Sequence, residues 1–181
     1  MNIPNILTVL RFLLIPVFGY FLSVRNYIVA VLLFLAGGLT DVLDGYIARR
    51  YNLITSWGKI ADPLADKLMQ ITAIVILSLG LKIIPIELVL VILAKELLMG
   101  IGALVLYRQK KYVVSANWYG KMTTVVFYLA IIMLIFNEPF GRWTLFGIAV
   151  NQLVFILAVI AALFAFFMYF RSYLRIKRQE K

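Results

Sequence analysis

The segment 41–66, DVLDGYIARRYNLITSWGKIADPLAD, holds all four aspartates of the chain inside otherwise apolar sequence. They follow the spacing D-x-x-D and, after a turn, D-x-x-x-D: Asp41, Asp44, Asp62 and Asp66. Carboxylates embedded in a membrane are energetically costly and usually functional. Four hard oxygen ligands at helical spacing suit a divalent cation and phosphate chemistry. The segment therefore predicts two helices joined by a turn and a functional site between them.

The composition is that of an integral membrane protein. Hydrophobic residues make up 64% of the 181 residues and charged residues only 14%. A water-soluble domain of this length could not bury so much apolar surface. Since no polar stretch is long enough to form a separate domain, we expect one membrane domain over residues 1–181.

Six apolar helices are predicted, each near the roughly 20 residues that cross the hydrocarbon layer. Their predicted ranges are 6–24, 28–50, 58–80, 85–107, 120–137 and 145–173. Loop-forming residues separate them. The expected fold class is an all-α integral membrane protein with six transmembrane helices.

The distribution of Lys and Arg predicts the orientation. An even number of spans places both termini on one side, and that side carries most of the basic residues, with Arg11 counted among them. By the positive-inside rule the termini and the aspartates are expected on the cytoplasmic side of the membrane. Topology and contacts with anionic membrane lipids account for the net charge of +10 better than nucleic-acid binding does.

The chain has no cysteine and no histidine. This excludes thiolate nucleophiles, imidazole bases and the usual zinc ligands. Acid–base and metal chemistry must then use carboxylates. Oxygen-only ligands favour magnesium, manganese or calcium, and Mg²⁺ (or Mn²⁺) is expected because these ions act through phosphates.

The turn at 52–57 predicts where the four carboxylates meet. Counted outward from the turn, Asp44 and Asp62 lie at one depth, and Asp41 and Asp66 at a second depth. Spacings of i,i+3 and i,i+4 keep each pair on one helix face. Antiparallel packing would bring all four together, where a divalent ion would offset their repulsion.

Residues between the aspartates favour a phosphate ligand. Gly45 and Ala48 leave one helix face bare, Gly58 does so where the next helix begins, and Arg49 could pair with a phosphate. Arg49 and Lys67 could instead be interfacial anchors. From spacing alone, an enzyme, an ion or proton transporter and a structural charge network all remain open.

The complete pattern resembles the signature of the CDP-alcohol phosphotransferase family. Its positions are Asp41, Asp44, Gly45, Ala48, Arg49, Gly58, Asp62 and Asp66. The segments NIPNILTVLR (2–11) and DPLADK (62–67) are similar to the bacterial branch that uses CDP-diacylglycerol. Length and helix number also fit, so the resemblance covers the whole chain.

The resemblance implies transfer of a phosphatidyl group from CDP-diacylglycerol to an alcohol, with release of CMP. The four aspartates would hold one or two metal ions, and Asp66 would also be the base. The implied nucleotide-binding residues are Asn5, Thr8, Gly45, Ala48, Arg49 and Gly58. A homodimer is implied as well. A non-catalytic lipid-binding homologue is the remaining alternative, but it would not need all four aspartates.

The acceptor is expected to be glycerol 3-phosphate. Family members with this acceptor typically carry an Arg-Glu pair in helix 4, an Arg seven residues later and a GKxKT phrase opening helix 5. This chain has Lys95-Glu96, Ala103 and the phrase GKMTT at 120–124. The candidate acceptor-binding residues are Lys95, Arg108, Ser115 and Lys121. The GKMTT phrase and the Lys-Glu pair also resemble CDP-alcohol-type cardiolipin synthases, whose acceptor is phosphatidylglycerol. Alternatively, Lys95 and Glu96 could form an ion pair with each other instead of binding substrate.

Overall fold

A computed structural model of the protein describes residues 3–51, 53, 55, 57–108, 118–137, 141–145 and 147–178. The chain forms two compact units, residues 1–82 and residues 83–181. Among the described residues the α-helices are α1 (Ile3–Ser23), α2 (Tyr27–Arg50), α3 (Gly58–Val75), α4 (Ile86–Arg108), α5 (Trp118–Ile135) and α6 (Val150–Arg178). The all-α prediction is confirmed.

In the first unit, α1 packs against both α2 and α3. Contacts between Arg11 and Asp44, and between the rings of Phe18 and Phe34 with centroids 5.4 Å apart, show that α1 and α2 run in opposite directions. The buried apolar side chains Leu22 and Met69 fill the space between the helices. α1 is therefore the central helix of this unit.

Glycines allow these helices to approach closely. A Cβ atom at Gly37 would lie 2.7 Å from Cε of Met69 on α3, and one at Gly19 would lie 3.2 Å from Cγ2 of Thr72. Small residues let helix backbones come together where lipid provides no hydrophobic drive. Both contacts fix the position of α3 against the first two helices.

The third helix ends as predicted at residue 80, through a π-helical turn, Ile76–Gly80. Leu77 and Ser78 in this turn are buried. Lys82, which follows, has a φ of 55°, a left-handed conformation that stops the helix.

In the second unit, α6 packs against both α4 and α5. The rings of Phe127 and Phe155 lie 5.7 Å apart between α5 and α6. Two polar contacts tie the start of α6: Asn151 donates to Oδ1 of Asn137 at 2.6 Å, and Gln152 donates to the Ile83 carbonyl at 2.8 Å.

A short β-hairpin replaces the start of the last predicted helix. Strands β1 (Thr144–Leu145) and β2 (Ile148–Ala149) pair antiparallel, and α6 begins only at Val150. Gly147 in the turn has a φ of 78°, which glycine adopts at little cost. The predicted start of this helix at 145 was wrong.

Three helical segments of the described chain are long and apolar enough to cross a membrane: Pro4–Ser23, Tyr27–Ala48 and Val150–Arg171. Apolar side chains also cover the outer faces of α1 and α2, where Leu13 and Ile28 are 62% and 69% exposed. Such continuous apolar surface is stable against lipid rather than water. The protein is thus membrane-like, and the count of six spans stays a prediction.

The close contact at Gly37 yields a stability prediction. Gly37→Leu should lower the melting temperature of the detergent-solubilised protein, because overpacking a helix contact costs about 1–3 kcal/mol. Gly100→Leu is the matched control, since a Cβ at Gly100 has nothing within 4 Å. Equal melting temperatures for the two variants would contradict the packing of α2 on α3.

Candidate active site

The centre of the candidate site is Arg11, a residue of α1 whose side chain is 1% exposed. Its Nη1 donates to Oδ1 of Asp41 at 2.9 Å and its Nη2 donates to Oδ2 of Asp44 at 2.6 Å. Its Nε lies 3.4 Å from Oγ1 of Thr40. One guanidinium therefore bridges both carboxylates of the first aspartate pair.

The two aspartates of this pair differ in access. The side chain of Asp44 is 2% exposed, whereas that of Asp41 is 41% exposed. Asp44 is thus enclosed with Arg11, and Asp41 lies at the open side of the same contact. A ligand from outside can reach Asp41 more easily than Asp44.

Thr8 connects α1 to the second aspartate pair. Its hydroxyl, fully buried, donates to Oδ1 of Asp62 at 2.5 Å and also lies 3.0 Å from the Pro4 carbonyl oxygen. Thr8 and Arg11 are spaced i,i+3, so one face of α1 meets both aspartate-bearing helices. The site therefore has three helical walls, not only the two that the aspartates predict.

A polar chain fixes the start of α3 beside Asp62. Thr55 Oγ1 accepts the Gly58 N–H at 2.9 Å and donates to Oδ1 of Asn5 at 3.0 Å. A Cβ at Gly58 would lie 3.0 Å from Thr55 Oγ1 and 3.4 Å from Oδ2 of Asp62. Glycine at this position keeps space next to the carboxylate, as the sequence pattern requires.

Asp66 lies one helical turn beyond Asp62 on α3. Its Oδ2 accepts a hydrogen bond from Nε2 of Gln70 at 3.0 Å, and Gln70 is 4% exposed. Asp41 interacts electrostatically with Asp66 as well as with Asp44 and Asp62. The four carboxylates thus share one electrostatic environment in the first unit.

The chemistry of these donors fits a hard divalent cation, since they are all carboxylate oxygens. Arg11 already places a positive group between two of them. Within the described ranges no three acidic side chains lie close enough together to hold an ion directly. Each carboxylate instead bonds a polar side chain of the same unit, so the binding of one ion by three or more of them would require these side chains to rearrange.

Several of the predicted nucleotide-binding residues lie next to residues of the candidate site. Asn5 and Gly58 meet through Thr55, while Gly45 and Ala48 follow Asp44 on α2 and are half-buried. The side chain of Arg49 lies outside the described part of the chain.

Comparison with known proteins agrees with this arrangement. The family model for CDP-alcohol phosphatidyltransferase matches residues 1–171. The chain belongs to the CDP-alcohol phosphatidyltransferase family. The family prediction made from the aspartate pattern is therefore confirmed.

Three similar proteins carry the name CDP-diacylglycerol–glycerol-3-phosphate 3-phosphatidyltransferase. The protein of Rickettsia typhi is 32% identical over 176 residues, which cover 94% of this chain and 96% of the relative. That of Bacillus subtilis is 36% identical over 155 residues, covering 77% and 79%. That of Aquifex aeolicus is 34% identical over 134 residues, covering 73% and 74%.

Of the candidate acceptor-binding residues, the structure describes the side chain of Lys95, in the second unit. Nζ of Lys95 lies 2.6 Å from Oε1 of Glu96, and both side chains are largely buried, at 10% and 14% exposed. Their mutual ion pair, left open by the sequence, is present. The side chains of Arg108 and Lys121, and the whole of Ser115, lie outside the described part of the chain.

Sequence reasoning missed Arg11 and Gln70 as parts of the site. Arg11 was interpreted as a topology signal and as part of the segment 2–11 that carries the resemblance, but not as a partner of the aspartates. A charge three residues after Thr8 inside apolar sequence calls for a buried partner. Gln70 has a weaker signal, its i+4 spacing from Asp66.

The unequal burial of the first aspartate pair yields a second prediction. Asp44→Asn should lower the melting temperature in EDTA-containing buffer more than Asp41→Asn does. Breaking a buried ion pair typically costs about 3–5 kcal/mol, and the remaining contact of Arg11 with Asp41 places the expected loss at the lower end. Equal losses in the two variants would contradict the enclosed position of Asp44.

Proposed function

We propose that this chain is a CDP-diacylglycerol–glycerol-3-phosphate 3-phosphatidyltransferase. The observation that carries the proposal is the complete aspartate pattern in a chain that one family model matches over residues 1–171. Two contacts from α1 support it: Arg11 pairs with both Asp41 and Asp44, and Thr8 bonds Asp62. The continuous match also supports a single domain. The names of the relatives support glycerol 3-phosphate as acceptor.

The proposed reaction transfers a phosphatidyl group. The acceptor hydroxyl oxygen bonds to the phosphorus that carries diacylglycerol, and the bond from that phosphorus to the CMP oxygen breaks. The hydroxyl proton passes to the Asp66 carboxylate, and CMP leaves. Gln70, buried and hydrogen-bonded to Oδ2 of Asp66, would orient this base.

Asp41, Asp44, Asp62 and Asp66 would hold one or two Mg²⁺ or Mn²⁺ ions. When bound, such an ion offsets the negative charge of the pyrophosphate and of the leaving phosphate. The enclosed position of Asp44 makes Asp41 the more accessible ligand of the first pair.

The proposed nucleotide pocket surrounds the start of α3. Gly58 keeps the space beside Asp62 open, and Asn5 and Thr8 border it from α1. Gly45 and Ala48 would let the cytidine nucleotide approach the backbone of α2, with Arg49 pairing with a phosphate.

The acceptor phosphate would need cationic partners, for which Lys95, Arg108, Ser115 and Lys121 stay the candidates. Lys95 is the weakest of them, because Glu96 already neutralises it at 2.6 Å. Phosphatidylglycerol is the second acceptor to be tested, since the chain departs from the usual glycerol-3-phosphate pattern in helices 4 and 5.

For the intact protein we propose a multi-pass location in the bacterial cell membrane, with termini and active site on the cytoplasmic side. The excess of Lys and Arg on that side supports this orientation. The lipid substrate would enter sideways from the membrane. A homodimer is proposed from the family resemblance.

Replacement of the proposed base tests the reaction. With CDP-diacylglycerol and glycerol 3-phosphate as substrates, purified wild-type protein should release CMP in the presence of Mg²⁺ and none in EDTA. Asp66→Asn should lower the rate of CMP release by roughly 10²- to 10⁴-fold, which is the usual contribution of general acid–base catalysis. Glu87→Gln, a carboxylate in the first turn of α4, is the matched control and should keep full activity.

The transporter hypothesis makes the opposite prediction for the same variants. If wild-type protein releases no CMP with any alcohol, while Asp66→Asn changes ion flux into vesicles, the enzyme proposal is wrong. Binding of CDP-diacylglycerol without turnover would instead indicate a non-catalytic homologue.

A product assay tests the acceptor. Glycerol 3-phosphate, phosphatidylglycerol, inositol phosphate and serine are offered side by side with labelled CDP-diacylglycerol, and the lipid products are separated. Phosphatidylglycerophosphate is the expected product. A product from phosphatidylglycerol alone would replace the first acceptor with that of a cardiolipin synthase.

A further inference from the structure

The burial of Arg11 needs an explanation that topology does not provide. An Arg at a membrane interface can extend its charged end into water, yet this side chain is 1% exposed. Its charge is instead balanced inside the first unit by Asp41 and Asp44. The contact is therefore a built part of the site rather than a surface anchor.

Three contacts fix the plane of the guanidinium. One Nη bonds each carboxylate, and Nε lies 3.4 Å from Oγ1 of Thr40. The Thr40 hydroxyl donates its proton to the Gly37 carbonyl oxygen at 2.8 Å, so its lone pairs remain for Arg11. A planar fork held in this way sets the distance and orientation of the two carboxylates, which a lysine could not do.

We propose that Arg11 is a positioning residue: by bonding Oδ1 of Asp41 and Oδ2 of Asp44, it orients both carboxylates for a divalent cation. The inference rests on the cation site of the proposed function. Side chains that hydrogen-bond metal ligands orient them and raise affinity in this manner. Arg11 itself touches neither ion nor substrate.

If Arg11 acted only through its charge, its removal would change the cation affinity in the opposite direction. If Arg11 only competed with the ion for the carboxylates, its removal would strengthen cation binding, because one positive charge fewer would lie nearby. The sign of the change in affinity therefore separates positioning from competition.

The test measures Mn²⁺ affinity by electron paramagnetic resonance on purified protein in detergent, without substrate. Arg11→Met and Arg11→Lys should both weaken binding by about 10- to 100-fold, as loss of an orienting partner does. Arg50→Met is the matched control. Arg50 is exposed, contacts Tyr46 and lies on α2, the helix that carries Asp41 and Asp44. The Arg50→Met variant should bind Mn²⁺ with the same affinity as the wild type.

Three results would overturn the inference: tighter binding by Arg11→Met, unchanged binding in folded Arg11 variants, and absence of Mn²⁺ binding by the wild type. If the Arg11 variants do not fold, Thr40→Val decides. Loss of its hydrogen bond to Arg11 should weaken Mn²⁺ binding about threefold, and unchanged affinity would overturn the inference.

The CMP-release assay on the same samples separates this inference from the proposed function. A wild type that binds Mn²⁺ and depends on Arg11 for it, but releases no CMP, leaves the inference standing and removes the function. A wild type that releases CMP while folded Arg11 variants bind Mn²⁺ normally removes the inference alone.

Discussion

The ion pairs of Arg11 with Asp41 and Asp44 are the constraint on which the first unit depends. A buried charge costs several kcal/mol unless an opposite charge and good hydrogen-bond geometry compensate for it. Because Arg11 lies on α1 and both aspartates lie on α2, this compensation exists only when the two helices are in register. The close contacts of Gly19 and Gly37 with α3 maintain the same register further along.

The same helix also organises the second aspartate pair. Thr8 bonds Asp62, and Asn5 reaches the first turn of α3 through Thr55. Aspartates of both α2 and α3 are thus bonded to the same helix, α1. Preorganisation of this kind is what a metal-assisted phosphate reaction requires, since misplaced ligands lose both affinity and rate.

The sequence predicted most of the helices and the family, but it did not predict the role of Arg11 or the β-hairpin. The aspartate spacing and the apolar runs predicted the helices and the family, while the meeting of all four carboxylates at one ion stays a prediction. Spacing shows which residues share a helix face, but not which neighbouring helix that face meets, and so the role of Arg11 was missed. The β-hairpin at 144–149 was missed because two-residue strands are too short to show an alternating pattern.

The acceptor pocket marks a different limit. Lys95 and Glu96 are adjacent in the sequence, and adjacent residues on a helix do not share a face. Their ion pair of 2.6 Å therefore depends on side-chain conformations that no sequence pattern specifies. The structure was needed to decide between the two interpretations of Lys95, and it favours an ion pair with Glu96 over a phosphate ligand.

The buried pairing of α1 with α2 also bears on how the chain enters the bilayer during synthesis. Arg11 leaves the ribosome about thirty residues before its partners, and alone at the centre of a spanning helix it would cost about 2.5–3.5 kcal/mol. Inserted together as a hairpin, the two helices carry this charge already neutralised. The ion pairs therefore favour entry of the first helix jointly with the second during cotranslational insertion.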